Sequence, residues 1–284
     1  MMKTVTLPDG TQVPALGQGT WYLGEQPAVR ARELAALRTG IEHGMTLLDT
    51  AEMYGGGRSE QLVGEAIRPY DREKLFLVSK VYPHNAGRPE IFRSCEASLR
   101  RLGTEYLDLY LLHWRGSVPL AETAACMEEL VQKGCIRRWG VSNLDTDDME
   151  ELWTAPGGRG CQADQVLYHL GSRGVEYDLM PWLARHGVAM MAYCPLAQGG
   201  ALRRGLLESG ALRAVARRHG VTEAQALLAF VLDKPGVVAI PRTGSALHAQ
   251  ENAAAAAIVL TDEDRRQLDE AFPPPREKAW LDIV

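Results

Sequence analysis

Residues 75–113 read LFLVSKVYPHNAGRPEIFRSCEASLRRLGTEYLDLYLLH. Leu75 to Val81 is a short apolar run of the kind that forms a strand covered on both faces. Pro89 to Leu102 carries its apolar residues at helical spacing, and Gly103 follows as a stop, since a left-handed residue after a helix releases the chain toward the next element. Tyr106 to His113 is again an apolar, aromatic run. A strand, a helix and a second strand in this order predict a parallel pair joined by a right-handed crossover.

The same unit repeats in both directions. Strands are predicted at Leu16 to Gly19, Thr46 to Asp49, Arg138 to Ser142, Ala163 to Tyr168, Val188 to Tyr193 and Val237 to Ile240. Helical stretches alternate with them at Ala28 to His43, Ser59 to Ile67, Leu120 to Lys133, Asp147 to Trp153, Met180 to His186, a longer region from Leu206 to Leu232, and Ser245 to Ile258. Eight strand–helix units in about 250 residues fit a closed α/β barrel, a (β/α)8 or TIM barrel, better than an open sheet. Before them, Val5 to Leu7 and Gln12 to Pro14 flank Asp9-Gly10, a strong hairpin turn signal, so residues 1–14 are expected to form an N-terminal β-hairpin. Two extra helical segments are expected outside the eight units, residues 273–284 form a tail after Phe272, and no linker divides the chain, which predicts a single domain over 1–284.

Composition narrows the function. The 284 residues are 46% hydrophobic and 24% charged, ordinary for a globular protein, and 31 basic against 36 acidic residues give a net charge of −5. No cationic cluster stands out, which argues against nucleic acid as a partner. No apolar run approaches the ~18 to 20 residues that span a bilayer, and the N-terminus lacks an apolar export core. Five cysteines without a CxxC pair make a poor disulfide framework. The expectation is a cytoplasmic protein with no membrane partner.

Barrel chemistry sits at the C-terminal ends of the strands. Here those ends carry Asp49, Tyr54 in the following loop, Lys80, His113, Ser142-Asn143, Gln165, Tyr193 and Arg242. Singly, each has a plain structural reading: a solvated strand end, a satisfied histidine, a packed tyrosine. Four titratable side chains closing or following three consecutive strands are harder to explain that way. A charged residue ending an apolar strand needs a partner, so Asp49 and Lys80 are expected to meet. A tyrosine acts as a general acid near neutral pH when a cation stabilises its phenolate, which Lys80 would do, while a neutral His113 donates an N–H to a substrate oxygen. Such a set protonates an oxygen as charge builds on it, as in hydride transfer to a carbonyl. No HExxH, GxSxG or GxxxxGK[ST] occurs, and the single GxGxxA match, Gly158 to Ala163, precedes a strand instead of following one.

These residues lie in strings that resemble the aldo-keto reductase family. They are Leu48-Asp49-Thr50-Ala51-Glu52-Met53-Tyr54-Gly55, Val78-Ser79-Lys80-Val81, Asp108 to Trp114, Arg138 to Asn143, Gln165 to His169, Tyr193-Cys194-Pro195-Leu196 and Ile240-Pro241-Arg242-Thr243. The resemblance runs in order along nearly the whole chain. It is closer to the family's short bacterial methylglyoxal reductases, which end similarly to Leu281-Asp282-Ile283-Val284. It implies a barrel binding NADPH without a Rossmann domain, Tyr54 as proton donor, and Asp49, Lys80 and His113 as the rest of a tetrad. It implies nicotinamide on Tyr193 with its carboxamide against Ser142, Asn143 and Gln165, and Gly19, Thr20 and Trp21 at the mouth. Cys194 would lie beside the pyrophosphate, Arg242, Thr243, Ser245 and His248 at the adenosine 2′-phosphate, and Pro195, Leu196, Ile240 and Pro241 would also touch the cofactor. Glu251 and Asn252 would touch adenine. The substrate pocket would be walled by Trp21, Tyr54, Tyr82, His113 and Trp114, with Trp280 either a lid or simple packing of the tail against the barrel.

Some positions depart from the family pattern. Arg242 replaces the usual Lys and still suits phosphate; His248 stands for a common Arg, Cys194 for a common Ser, and Asp164 for a frequent Asn. The short tail implies an open aromatic pocket for a small-molecule carbonyl substrate such as methylglyoxal. Two rival readings are an NADPH-binding regulatory or redox-sensing subunit with little turnover, and a metal-assisted hydrolase using Asp49, Glu52 and His113. The reductase reading needs no metal, and the resemblance implies a monomer.

Overall fold

The computed structural model describes residues 3–284, so Met1 and Met2 of the expected hairpin lie outside the described residues. Thr4–Thr6 (β1) and Gln12–Pro14 (β2) pair antiparallel around the Asp9-Gly10 turn. Asp9 N–H donates to Gln162 Oε1 at 3.0 Å, and Asp9 is ion-paired to Arg138. Both partners stand at the starts of later strands, so the hairpin closes the floor of the barrel.

The wall is eight parallel strands: Gln18–Gly19 (β3), Leu47–Asp49 (β4), Phe76–Val81 (β5), Leu109–Leu112 (β6), Trp139–Ser142 (β7), Cys161–Leu167 (β8), Ala189–Tyr193 (β9) and Val237–Ala239 (β10). They pair in sequence order, and the ring closes between its ends. Gly17 N–H donates to Ala239 O and Ala239 N–H to Ala15 O, both at 2.8 Å, while Gly19 N–H reaches Pro241 O at 3.1 Å. Gly19 is required at this seam, because a Cβ there would stand 2.8 Å from the Ile240 carbonyl oxygen.

The helices are Arg30–Glu42 (α1), Arg58–Ile67 (α2), Glu90–Leu102 (α3), Leu120–Gln132 (α4), Thr146–Thr154 (α5), Leu179–His186 (α6), Gly200–Glu208 (α7), Gly210–His219 (α8), Glu223–Leu232 (α9), Ala246–Ala255 (α10) and Asp262–Ala271 (α11). The expected Leu206–Leu232 region starts earlier and is three helices. It breaks at Ser209, and again after His219, where Gly220 takes a left-handed conformation and Thr222 with Gln225 forms a reciprocal cap for α9. The two segments beyond the eight units are thus the α7–α8 pair and α11.

Strand alternation decides which side chains reach the interior. On β5, Ser79 points outward and donates to Glu60 of α2 at 2.6 Å, so Lys80 points inward. On β7, Trp139 points outward to Glu128 of α4 at 2.7 Å, which turns Ser142 inward. All six residues of β5 are buried, as a strand covered on both faces requires.

Candidate active site

At the C-terminal end of the barrel, Lys80 is fully enclosed. Its Nζ donates to Asp49 Oδ2 at 2.7 Å, Thr50 O at 2.9 Å and Tyr54 Oη at 3.3 Å. Three acceptors match the three donors of an ammonium group, which fixes Lys80 as the cation. The second carboxylate oxygen of Asp49 accepts from Gln165 Nε2 at 2.8 Å. Burial lowers the pKa of Lys80, opposed by the charge of Asp49. Burial also holds the Tyr54 phenol well above its usual range, with the Asp49 charge adding to the effect. Tyr54 therefore keeps its proton at rest, and because its oxygen accepts from Lys80, that proton is aimed elsewhere. Tyr54 is followed by Gly55, Gly56 and Gly57 at φ of 58°, 64° and 88°, a left-handed run that only glycines adopt at little cost and that returns the chain to α2.

His113 follows β6. Its ring stands edge-on to Tyr54, 5.6 Å between centroids, and its Nδ1 is buried without a partner among the described residues. Burial, with Lys80 nearby, pushes its pKa down to about 2, so the imidazole is neutral. Asn143 ties the next strands together: Nδ2 donates to His113 O at 3.1 Å, and Oδ1 accepts from Tyr193 Oη at 2.9 Å. Ser142 Oγ donates to Gln165 O at 2.7 Å.

Above these groups opens a cavity of about 640 Å³. Among the described residues, the four non-glycine residues with positive φ are Tyr22, Asn143, Cys194 and Ala197, and all four line it. Such backbone strain, of order 1–3 kcal/mol each, concentrates where structure is held for function.

The cavity brings together most of the residues singled out in the sequence: Gly19, Thr20, Trp21, Asp49, Tyr54, His113, Trp114, Ser142, Asn143, Gln165, Tyr193, Cys194, Pro195, Leu196, Ile240, Pro241 and Arg242. Lys80 lies beneath it. Tyr82 is not part of the wall; it packs edge-on against Trp114, 5.2 Å between centroids. Thr243, Ser245, His248, Glu251 and Asn252 lie beyond the cavity, at and after the start of α10, where Ser245 caps the helix by accepting from His248 N–H at 3.5 Å. Trp280 is not a lid, being 94% exposed with its indole in solvent. The tail reaches the cavity instead through Ile283 and Val284, held by Lys278, which pairs with Asp145, Asp147 and Asp178 at 3.2 to 3.5 Å. Glu52 turns away from Asp49 and His113 and accepts from Tyr82 N–H at 2.7 Å and Asn85 Nδ2 at 3.1 Å.

Sequence reasoning missed Tyr22, Met53, Arg115, Ala197, Gln198, Arg203, Ile283 and Val284 as lining residues. Tyr22 and Met53 adjoin residues already singled out, so proximity was a usable signal. Arg203 and the tail carry no local pattern that points to the cavity.

The sequence profile of the aldo/keto reductase family matches residues 15–272. Methylglyoxal reductase YeaE of Escherichia coli is 54% identical over 282 residues, covering 99% of each chain. An aldo/keto reductase of Klebsiella pneumoniae, solved with NADP and acetate and again with NADPH, superposes in both structures with a TM-score of 0.97 at 55% identity over the full length of each chain.

Proposed function

The chain belongs to the aldo/keto reductase family, and we propose that it is an NADPH-dependent reductase of small aldehydes and α-dicarbonyls such as methylglyoxal, with Tyr54 as the proton donor. The observation that carries this is the placement of Lys80 Nζ between Asp49 Oδ2 and Tyr54 Oη directly beneath the cavity. The residues present also fit a nicotinamide dinucleotide. Ser142, Asn143 and Gln165 offer amide and hydroxyl groups on one wall beside the Tyr193 ring, and Arg242 is an exposed cation at the rim. They would hold the carboxamide, the ring and the 2′-phosphate respectively. When bound, NADPH supplies a hydride to the carbonyl carbon.

The rest is the work of this chain's side chains. The neutral His113 presents an N–H to the carbonyl oxygen without competing for its proton. As charge grows on that oxygen, Tyr54 gives up its proton, and the phenolate left behind lies 3.3 Å from the Lys80 ammonium. Asp49 keeps Lys80 charged and aimed. Trp21, Trp114 and Met53 supply apolar wall. General acid catalysis of this kind contributes about 10² to 10⁴ in rate. The same reading makes the protein one domain, a monomer in the cytoplasm, acting on a small molecule.

The test is loss of NADPH absorbance on adding methylglyoxal, followed by a panel of aliphatic and aromatic aldehydes. Turnover on several of them is expected. Tight NADPH binding with no turnover on any carbonyl would overturn the proposal in favour of a regulatory subunit.

A further inference from the structure

Asp164 on β8 is a buried ionisable group that the chemistry above does not use. Its neighbour Gln165 reaches into the barrel to Asp49, so Asp164 faces outward, toward the helices. It is fully buried, and neither carboxyl oxygen has a hydrogen-bond partner among the described residues. The polar group turned toward it is the backbone N–H of Leu144, which favours the ionised form but is outweighed by burial. The charges facing it from the first turn of α5 are Asp145 and Asp148, both of its own sign. The nearby cations are engaged elsewhere: Arg115 with Asp148 and Glu151, Lys278 with Asp145, Asp147 and Asp178 at the start of α6. The remaining titratable groups near it, Cys161 on its own strand and Tyr193 from the cavity side of β9, carry no positive charge. An ionised carboxylate in these surroundings costs far more than a protonated one.

The site lies under the turn that matters most for the proposed cofactor. Val141 pairs with Asp164 and Ser142 with Gln165, and Asn143 N–H donates to Gln165 O at 2.9 Å. Asn143 then takes a φ of 58°, which the turn beneath it must enforce.

We propose that Asp164 is a positioning residue: it supports the Ser142–Leu144 turn as a neutral carboxylic acid, and losing its proton drives that turn, with Asn143, out of place. The consequence for NADPH rests on the reading that Asn143 faces the carboxamide. In the unfolded chain the carboxyl ionises near pH 3.9, so folding takes up one proton above that value. The stability this group contributes is present below about pH 3.9 and falls as pH rises, by about tenfold in the folding constant per pH unit until the folded acid itself ionises.

The experiment compares the full chain with Asp164→Asn and Asp164→Leu, two neutral variants. In urea unfolding between about pH 5 and pH 7, the wild-type folding constant is expected to fall about tenfold per pH unit relative to either variant. Without nucleotide, amide exchange of the segment 142–146 is compared in wild type and Asp164→Asn at about pH 6 and about pH 10, and wild type is expected to gain on the variant as pH rises. NADPH affinity is expected to weaken more in wild type than in Asp164→Asn between the same two pH values. Parallel stability profiles in wild type and both variants, or equal exchange at both pH values, would overturn the proposal. If NADPH bound to neither protein at pH 6, the cofactor reading would fall, while unfolding and exchange would still decide the role of Asp164.

Discussion

Replacing Lys80 by methionine keeps the shape of the side chain and removes its charge. The side chain of Asp49 is 3% exposed and has Lys80 Nζ at 2.7 Å, with Gln165 as its other partner. Lys80→Met leaves that carboxylate buried without a cation, a change that costs about 3 to 5 kcal/mol. A chain of this length unfolds with an entropy of about 0.6 kcal/mol per kelvin at its midpoint, so the expected fall in Tm is about 5 to 8 °C. Asp49→Asn alone strands the ammonium and should cost a similar amount. The double variant Asp49→Asn/Lys80→Met strands neither charge and should lose less than the sum of the singles by about 2 kcal/mol or more. Urea unfolding of the four proteins measures this coupling directly. Losses that add to within about 0.5 kcal/mol would refute the buried pair, because independent sites add and a shared pair does not. All three variants should also lose turnover, since none retains a cation correctly placed beside Tyr54.

Arg242→Ala should weaken NADPH by about 10- to 150-fold, the worth of a lost charged hydrogen bond, and leave NADH nearly unchanged; fluorescence titration with both nucleotides checks it, and equal losses would remove Arg242 from the 2′-phosphate. His113 and His169 are both buried, and burial depresses them to about 2 and about 4. The stability they contribute is present above the unfolded value near 6.5 and lost as pH falls below it, each adding up to about 1.4 kcal/mol per pH unit. Urea unfolding of His113→Gln should therefore show a slope shallower by one proton between about pH 4.5 and 6.5, and the turnover of wild type should show no inflection near 6.5 from this group. Gly19→Ala places a methyl 2.8 Å from the Ile240 oxygen at the barrel seam and should cost about 1 to 3 kcal/mol, read as a lower Tm.

What the sequence made legible follows from where the information lies. The alternation of apolar runs with helical periodicity is local, and it located the strands of the ring, including Leu16 to Gly19. The polar ends of those strands were legible for the same reason: Asp49, Lys80 and Gln165 interrupt apolar runs, and burying them demands the contacts found at 2.7 and 2.8 Å. Long-range packing was not legible. Nothing in the pattern of residues 273–284 says that Ile283 and Val284 reach the cavity, or that Trp280 stands in solvent, because the path of the tail is set by Lys278 meeting three acids from α5 and the start of α6. Tyr82 was expected in the wall from the resemblance, yet it lies outside the cavity lining and packs edge-on against Trp114. The α7–α8 break depends on Ser209 ending one helix and Gly210 opening the next, a change of direction that periodicity alone blurs.

The measurement that bears most directly on the account is steady-state NADPH oxidation with methylglyoxal by wild type and Tyr54→Phe, alongside NADPH titration of both. The account predicts the same NADPH affinity in the two proteins and a fall in turnover of about 10² to 10⁴ in the variant, because phenylalanine keeps the ring and removes the donated proton. Unchanged turnover in Tyr54→Phe would contradict it.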